Sequence, residues 1–137
     1  MIQQHEVMPL LLQACPSFAP LWEAHLREYE GEVLFYIVMG ELAHHVLELQ
    51  QSGEVTCFAA LGVAIERLHV EGDAWVQELA TIGLLEGIQN VWRNTGVDPA
   101  QFEPYLGPES QRAWHALNAF WSGQAVTVAV EGQEEAI

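Results

Sequence analysis

Apolar residues recur along the chain at intervals of three and four, and short polar runs carrying glycine or proline separate the stretches in which they do so. The breaks fall at Cys15-Pro16-Ser17, Gly31, Gln51-Ser52-Gly53, Gly72-Asp73, Asn94-Thr95-Gly96 and Gly107-Pro108, leaving room for about six helices. The first ends near Ala14 with Met8, Leu11, Leu12 and Cys15 on one face, and Pro9 leaves its start open. A second follows Ser17 as N-cap and carries Phe18, Trp22, His25 and Tyr29 at helical spacing. The third, over 33–51, sets Phe35, Val38, Leu42, His45 and Leu49 on one stripe and stops at Gly53. The fourth, over 55–70, buries Phe58, Leu61, Ile65 and Leu68.

The fifth helix starts at an Asp73 cap, runs to about Asn94 and is apolar on nearly every side from Ala80 to Trp92, which makes it the expected centre of the domain. Glu86, Gln89, Asn90 and Arg93 interrupt it. Buried polar groups need partners, so this face reads as a network fastening neighbouring helices, with a small-molecule pocket around Glu86, Gln89 and Asn90 as the other reading. Gly83 and Gly87, four apart, clear a strip for close approach, most simply by another helix. A looser turn over 98–106 leads to Pro108 at a first helical position. The last helix sets Trp114, Leu117 and Trp121 on one face and ends at Gly123. Beyond it, Val126, Val128 and Val130 alternate. The expectation is an all-α fold, a compact bundle or stack of about six antiparallel helices in one domain over 1–123, followed by an extended or flexible acidic tail over 124–137. Leu42, Leu61, Ile65, Leu79, Ile82, Leu85, Ile88 and Leu117 form the expected core.

Charge narrows the partners. The chain has 137 residues and no lysine, and 4 basic residues, all arginine, stand against 19 acidic ones for a formal net charge of -15. Such a field repels nucleic acid and anionic membranes; it attracts a basic protein or serves solubility. Glu28, Glu30 and Glu32 are the densest candidates for a partner-binding acidic surface. Five Trp and a half-hydrophobic composition argue against disorder. Neither a secretory leader pattern nor an apolar run of about 18 residues is present, so a cytoplasmic location is expected. Cys15 and Cys57 read as buried small hydrophobes of a reducing compartment.

Two Glu-x-x-His motifs, Glu41-Leu42-Ala43-His44 and Glu66-Arg67-Leu68-His69, each place a carboxylate and an imidazole on one helix face, as in half of a di-iron or di-manganese bundle site whose remaining carboxylates would be Glu23 and Glu86. Glu41, His44 and Glu48 also form a stripe typical of a solvated face, and His45 falls inside the apolar one as a core histidine. No metal and no cofactor are expected. Of the nucleophiles, Cys15 with His25 is an unspecific pairing, and Ser17, Ser52, Ser110 and Ser122 lie in no Gly-x-Ser-x-Gly elbow, so the sequence leans against an enzyme. Trp114, Phe120 and Trp121 offer an aromatic binding surface, although Trp114 and Trp121, like Trp75 and Trp92, are more simply core.

The ordered set Cys15-Pro16-Ser17-Phe18, Glu66-Arg67-Leu68, Ala80-Thr81-Ile82-Gly83-Leu84-Leu85-Glu86-Gly87-Ile88-Gln89-Asn90, Tyr105-Leu106-Gly107-Pro108-Glu109-Ser110, Trp114 and Phe120-Trp121 resembles an uncharacterised bacterial family of small acidic helical proteins over about residues 5–123. The resemblance implies no assigned activity, catalytic residue or cofactor. In size, charge and expected fold the chain is also similar, at the level of class, to bacterial immunity proteins that neutralise a basic toxin. The resulting expectation is a non-enzymatic, immunity-like or adaptor-like binding domain for a basic protein.

Overall fold

A computed structural model describes residues 1–123, 127–130 and 133–136. The fold is all-α up to Gly123: α1 (Val7–Ala14), α2 (Ala19–Glu28), α3 (Phe35–Ser52), α4 (Phe58–Glu71), α5 (Ala74–Glu78), α6 (Glu86–Asn94) and α7 (Pro108–Trp121), with short 3-10 turns between several of them. Of the expected tail, Thr127–Val130 and Gln133–Ala136 pair as an antiparallel ribbon. Val126 lies outside the described residues. Among those described, no helix is long and apolar enough to cross a membrane.

The expected central helix exists as one rod with an unexpected middle. Asp73 caps α5 by accepting the Val76 N–H at 2.9 Å, but Leu79–Leu85 is π-helical before α6 resumes. Widening the helix there turns its residues by less than α-helical spacing assumes. Leu79, Leu84, Leu85, Ile88 and Trp92 are fully buried, while Ile82, expected in the core, is only half-buried. The other seven expected core residues are buried. The glycine strip meets α3, since a Cβ on Gly83 would lie 3.2 Å from Met39 Cγ and one on Gly87 3.5 Å from Ala43 Cβ.

Helix α3 packs on this rod, and α4 lies between α1 and α7. Gly53, in the left-handed region at φ 76°, ends α3 as expected. Phe58 meets Phe102 and Tyr105, and Trp92 meets Phe102, edge to face at centroid distances of 5.4–5.8 Å, fastening the 3-10 turns Pro99–Gln101 and Glu103–Tyr105 to α4 and α6. The N-terminus is tied in by Ile2, whose N–H donates to the Glu71 carbonyl at 2.7 Å and whose own carbonyl accepts the Asp73 N–H at 2.9 Å.

Three local expectations are corrected. Ser17 does not cap α2: it sits inside a 3-10 turn, Pro16–Phe18, and its hydroxyl bonds His45 instead. Trp121 and Trp75 are exposed at 54% and 37%, because the last turn of α7 and the first of α5 reach past the core. Leu12 is half-buried beside its buried neighbour Leu11.

Candidate functional site

The two Glu-x-x-His motifs go to different places. On α3, Glu41 accepts from His25 Nδ1 at 2.8 Å, and His44 is exposed. On α4, Glu66 Oε1 accepts the Ser110 N–H at 2.9 Å and the Ser110 hydroxyl at 2.8 Å, while Oε2 accepts the Glu109 N–H at 3.1 Å. Glu66 therefore caps the first turn of α7 from another helix. A Cβ on Gly107 would sit 2.6 Å from that carboxyl carbon, which explains a glycine where a capping side chain usually stands. Burial pushes the Glu66 carboxyl up, but the hydrogen bonds from Ser110 and Glu109, aided by His69, outweigh it and hold its pKa below the ordinary value.

Because the Ser110 hydroxyl donates to Glu66, its oxygen accepts from His69 Nδ1 at 2.9 Å, with the Ile65 carbonyl 3.1 Å away. The remaining nitrogen, Nε2, then accepts the Thr81 hydroxyl at 2.9 Å. Burial lowers the His69 pKa, consistent with a neutral ring. Glu66 and His69 thus join α4, α7 and the π-helical segment in one chain of hydrogen bonds. Among the described residues no group of three or more His, Cys, Asp or Glu side chains is arranged to hold a metal.

The polar face of α6 is not one buried network. Gln89 is fully buried and donates to the Trp114 carbonyl at 3.2 Å, but among the described residues its buried Oε1 and the buried Trp92 indole N–H meet no hydrogen-bond partner. Glu86 and Asn90 are half-buried and Arg93 is exposed, so Arg93 does not serve as an internal counter-ion. Burial raises the Glu86 pKa despite a hydrogen bond from Trp121. Seven residues of π-helix immediately upstream rotate this face partly outward, which α-helical periodicity did not anticipate.

Sequence periodicity also missed a concave aromatic groove of about 710 Å³ between the N-terminal turn, α2 and the start of α3. Met8, Pro9, Trp22, Val33 and Phe35 supply its apolar wall, with Gln3, Gln4, His5 and Asp73 at its polar edge. Leu21 and Tyr36, next to Trp22 and Phe35 in sequence, and Trp75, in edge contact with Phe35 at 5.1 Å, are substantially exposed. His25 anchors the wall. Its ring stacks on Trp22 at 6.2 Å and lies 4.7 Å from Tyr29, and its Nε2 accepts the Leu34 N–H at 3.2 Å, so Nδ1 carries the hydrogen donated to Glu41. This places His25 away from any partnership with Cys15. Glu28 ends α2, and Glu30 and Glu32 lie in the α2–α3 connection that leads into Val33 and Phe35; all three are exposed. The signal in the sequence is the aromatic spacing Trp22-His25-Tyr29, which marks one helical face but does not say what that face meets.

The cysteines are not separate hydrophobes. Cys57 Sγ lies 3.2 Å from Cys15 Sγ, and Cys15 Sγ lies 3.6 Å from the Ser17 hydroxyl, which is 2.8 Å from His45 Nε2. His45 is half-buried against Phe18, and burial lowers its pKa.

Comparison with known proteins yields a family model described as Domain of unknown function (DUF7674), matching residues 8–122. No curated protein and no solved structure matches the chain.

Proposed function

The chain belongs to the DUF7674 family, a domain of unknown function, and we propose that it is a non-enzymatic binding module for a basic protein, immunity-like or adaptor-like in presenting an acidic surface. The observation that carries this reading is the aromatic groove at the foot of an acidic connection: Val33 and Phe35 wall the groove, and Glu28, Glu30 and Glu32 precede them. The occupant that fits is a protein segment with an apolar or aromatic anchor flanked by Arg or Lys. Trp22 and Phe35 would cover the anchor, and the cationic side chains would meet the carboxylates or an aromatic face.

Preorganisation favours binding here. Trp22 is held by its stack on a histidine whose two nitrogens are both engaged, so the wall loses little freedom when occupied. Charge at the rim would speed and orient encounter, and the buried aromatic contact would supply most of the affinity.

The test begins with a partner co-purified at low salt, purified in turn and titrated against the wild type, Trp22→Ala and the triple variant Glu28→Lys, Glu30→Lys, Glu32→Lys. The expected partner carries net positive charge, and Trp22→Ala weakens its binding about tenfold or more. A partner without basic character, or affinity indifferent to both variants, would remove the proposal and leave the charge as a device for solubility.

A further inference from the structure

We infer that Cys15 and Cys57 are an oxidisable dithiol, closed to an intramolecular disulfide by a peroxide with Ser17 and His45 draining the proton of the resolving thiol. The two sulfurs already lie 3.2 Å apart. A disulfide needs about 2.0 Å, a closure of little more than an ångström between the residue that follows α1 and the residue that precedes α4. The sulfurs are 42 residues apart in sequence, so only the fold brings them together.

The two thiols differ in access. Cys15 is fully buried, whereas Cys57 is half-buried and lines a surface cleft of about 410 Å³ together with Ser17, Glu54 and Thr56. Peroxide therefore reaches Cys57 first. The Cys57 thiolate attacks one peroxide oxygen, the S–O bond forms, the O–O bond breaks and the departing hydroxide takes the thiol proton as water. Cys15 Sγ then attacks Cys57 Sγ; the S–S bond forms, the S–O bond breaks, and hydroxide leaves. Two thiols and one hydrogen peroxide give one disulfide and two waters, with both sulfurs oxidised and both peroxide oxygens reduced.

Hydrogen-bond directions supply the proton route for the second step. The Cys57 thiol donates to Cys15 Sγ, so the arrangement that gives every hydrogen an acceptor has Cys15 S–H donating to Ser17 Oγ and Ser17 O–H donating to His45 Nε2. With His45 neutral, its nitrogen takes the proton that Cys15 releases and returns it to the leaving hydroxide. Burial and the neighbouring thiol push the Cys57 pKa up to about 12, so little thiolate stands ready near neutrality and the first step is slow.

The full chain, freed of reductant and treated with hydrogen peroxide, should lose two hydrogens in intact mass and give a peptide pair joined through Cys15 and Cys57. Its denaturation midpoint should rise and return on reduction. Cys57→Ser should abolish the bridge, and Cys15→Ser should leave a Cys57 sulfenic acid that dimedone traps. Should Cys15→Ser fail to fold, the bridge-mapping experiment on the wild type stands without it. At the exposed Ser17, Ser17→Ala should slow closure several-fold without slowing sulfenic acid formation; equal closure rates would overturn the proton route. Oxygen addition with no bridge, or cross-linked chains in place of an internal bridge, would overturn the dithiol itself.

Discussion

Glu66 and Ser110, 44 residues apart, are joined twice through one carboxylate oxygen, by the Ser110 amide at 2.9 Å and its hydroxyl at 2.8 Å. This pair gives α7 its N-terminal cap from α4 and, by fixing the Ser110 hydrogen, fixes which nitrogen of His69 carries a proton. Glu66→Ala should cost about 0.5–2 kcal/mol, the range for losing a helix cap, measured by urea denaturation. The Glu66 pKa is lowered in the fold, so its contribution is complete above the ordinary value of 4.5 and disappears as pH falls through the depressed one. The stability difference between wild type and Glu66→Gln should therefore shrink in acid.

His69 titrates in a separate window. Its folded pKa lies below the ordinary 6.5, so the unfolded chain binds the proton more readily, and the stabilisation is full above 6.5 and lost as pH falls through the folded value. Protonation at Nε2 would also oppose two donors across the Thr81 contact. Denaturation midpoints should decline below pH 6.5 more steeply in the wild type than in His69→Gln. Parallel declines would mean that the ring is not buried neutral.

Leu85 and Ile82 form a paired test of the π-helical segment. Leu85 is fully buried and Ile82 half-buried. Leu85→Ala should cost about 2–5 kcal/mol and Ile82→Ala clearly less. Equal costs would indicate ordinary α-helical phasing through Leu79–Leu85.

Gly62 faces the Tyr105 carbonyl so closely that a Cβ would overlap it, and the obstacle is backbone rather than a movable side chain. Gly62→Ala should destabilise by about 1–3 kcal/mol although alanine is the better helix former. A gain in thermal stability would show that the Glu103–Tyr105 turn does not pack on α4.

The helices were legible because burial of one face repeats every three to four residues, and Phe58, Leu61, Ile65 and Leu68 announce α4 without help from the rest of the chain. The π-helical turn was not, since Ala80 to Leu85 suit either helix and only packing chooses between them. That choice displaced Ile82 and opened the Glu86 face. The Glu66–Ser110 cap, the Cys15–Cys57 pair and the groove depend on which distant segments meet, and local periodicity carries no record of that. Both Glu-x-x-His motifs were visible as patterns, but His25 and Ser110, which engage Glu41 and Glu66, lie 16 and 44 residues away. The family match over residues 8–122 spans nearly the stretch that the motif resemblance covered.

The central claim concerns binding, and its most direct measurement is the association rate of the purified partner as a function of salt, for the wild type and the Glu28, Glu30 and Glu32 charge-reversal variant. Exposed charges are screened beyond about 8–10 Å at cellular ionic strength. The wild-type rate should therefore fall steeply from low to physiological salt, and charge reversal should slow association more than it speeds dissociation. An association rate that ignores both salt and charge reversal would contradict the account.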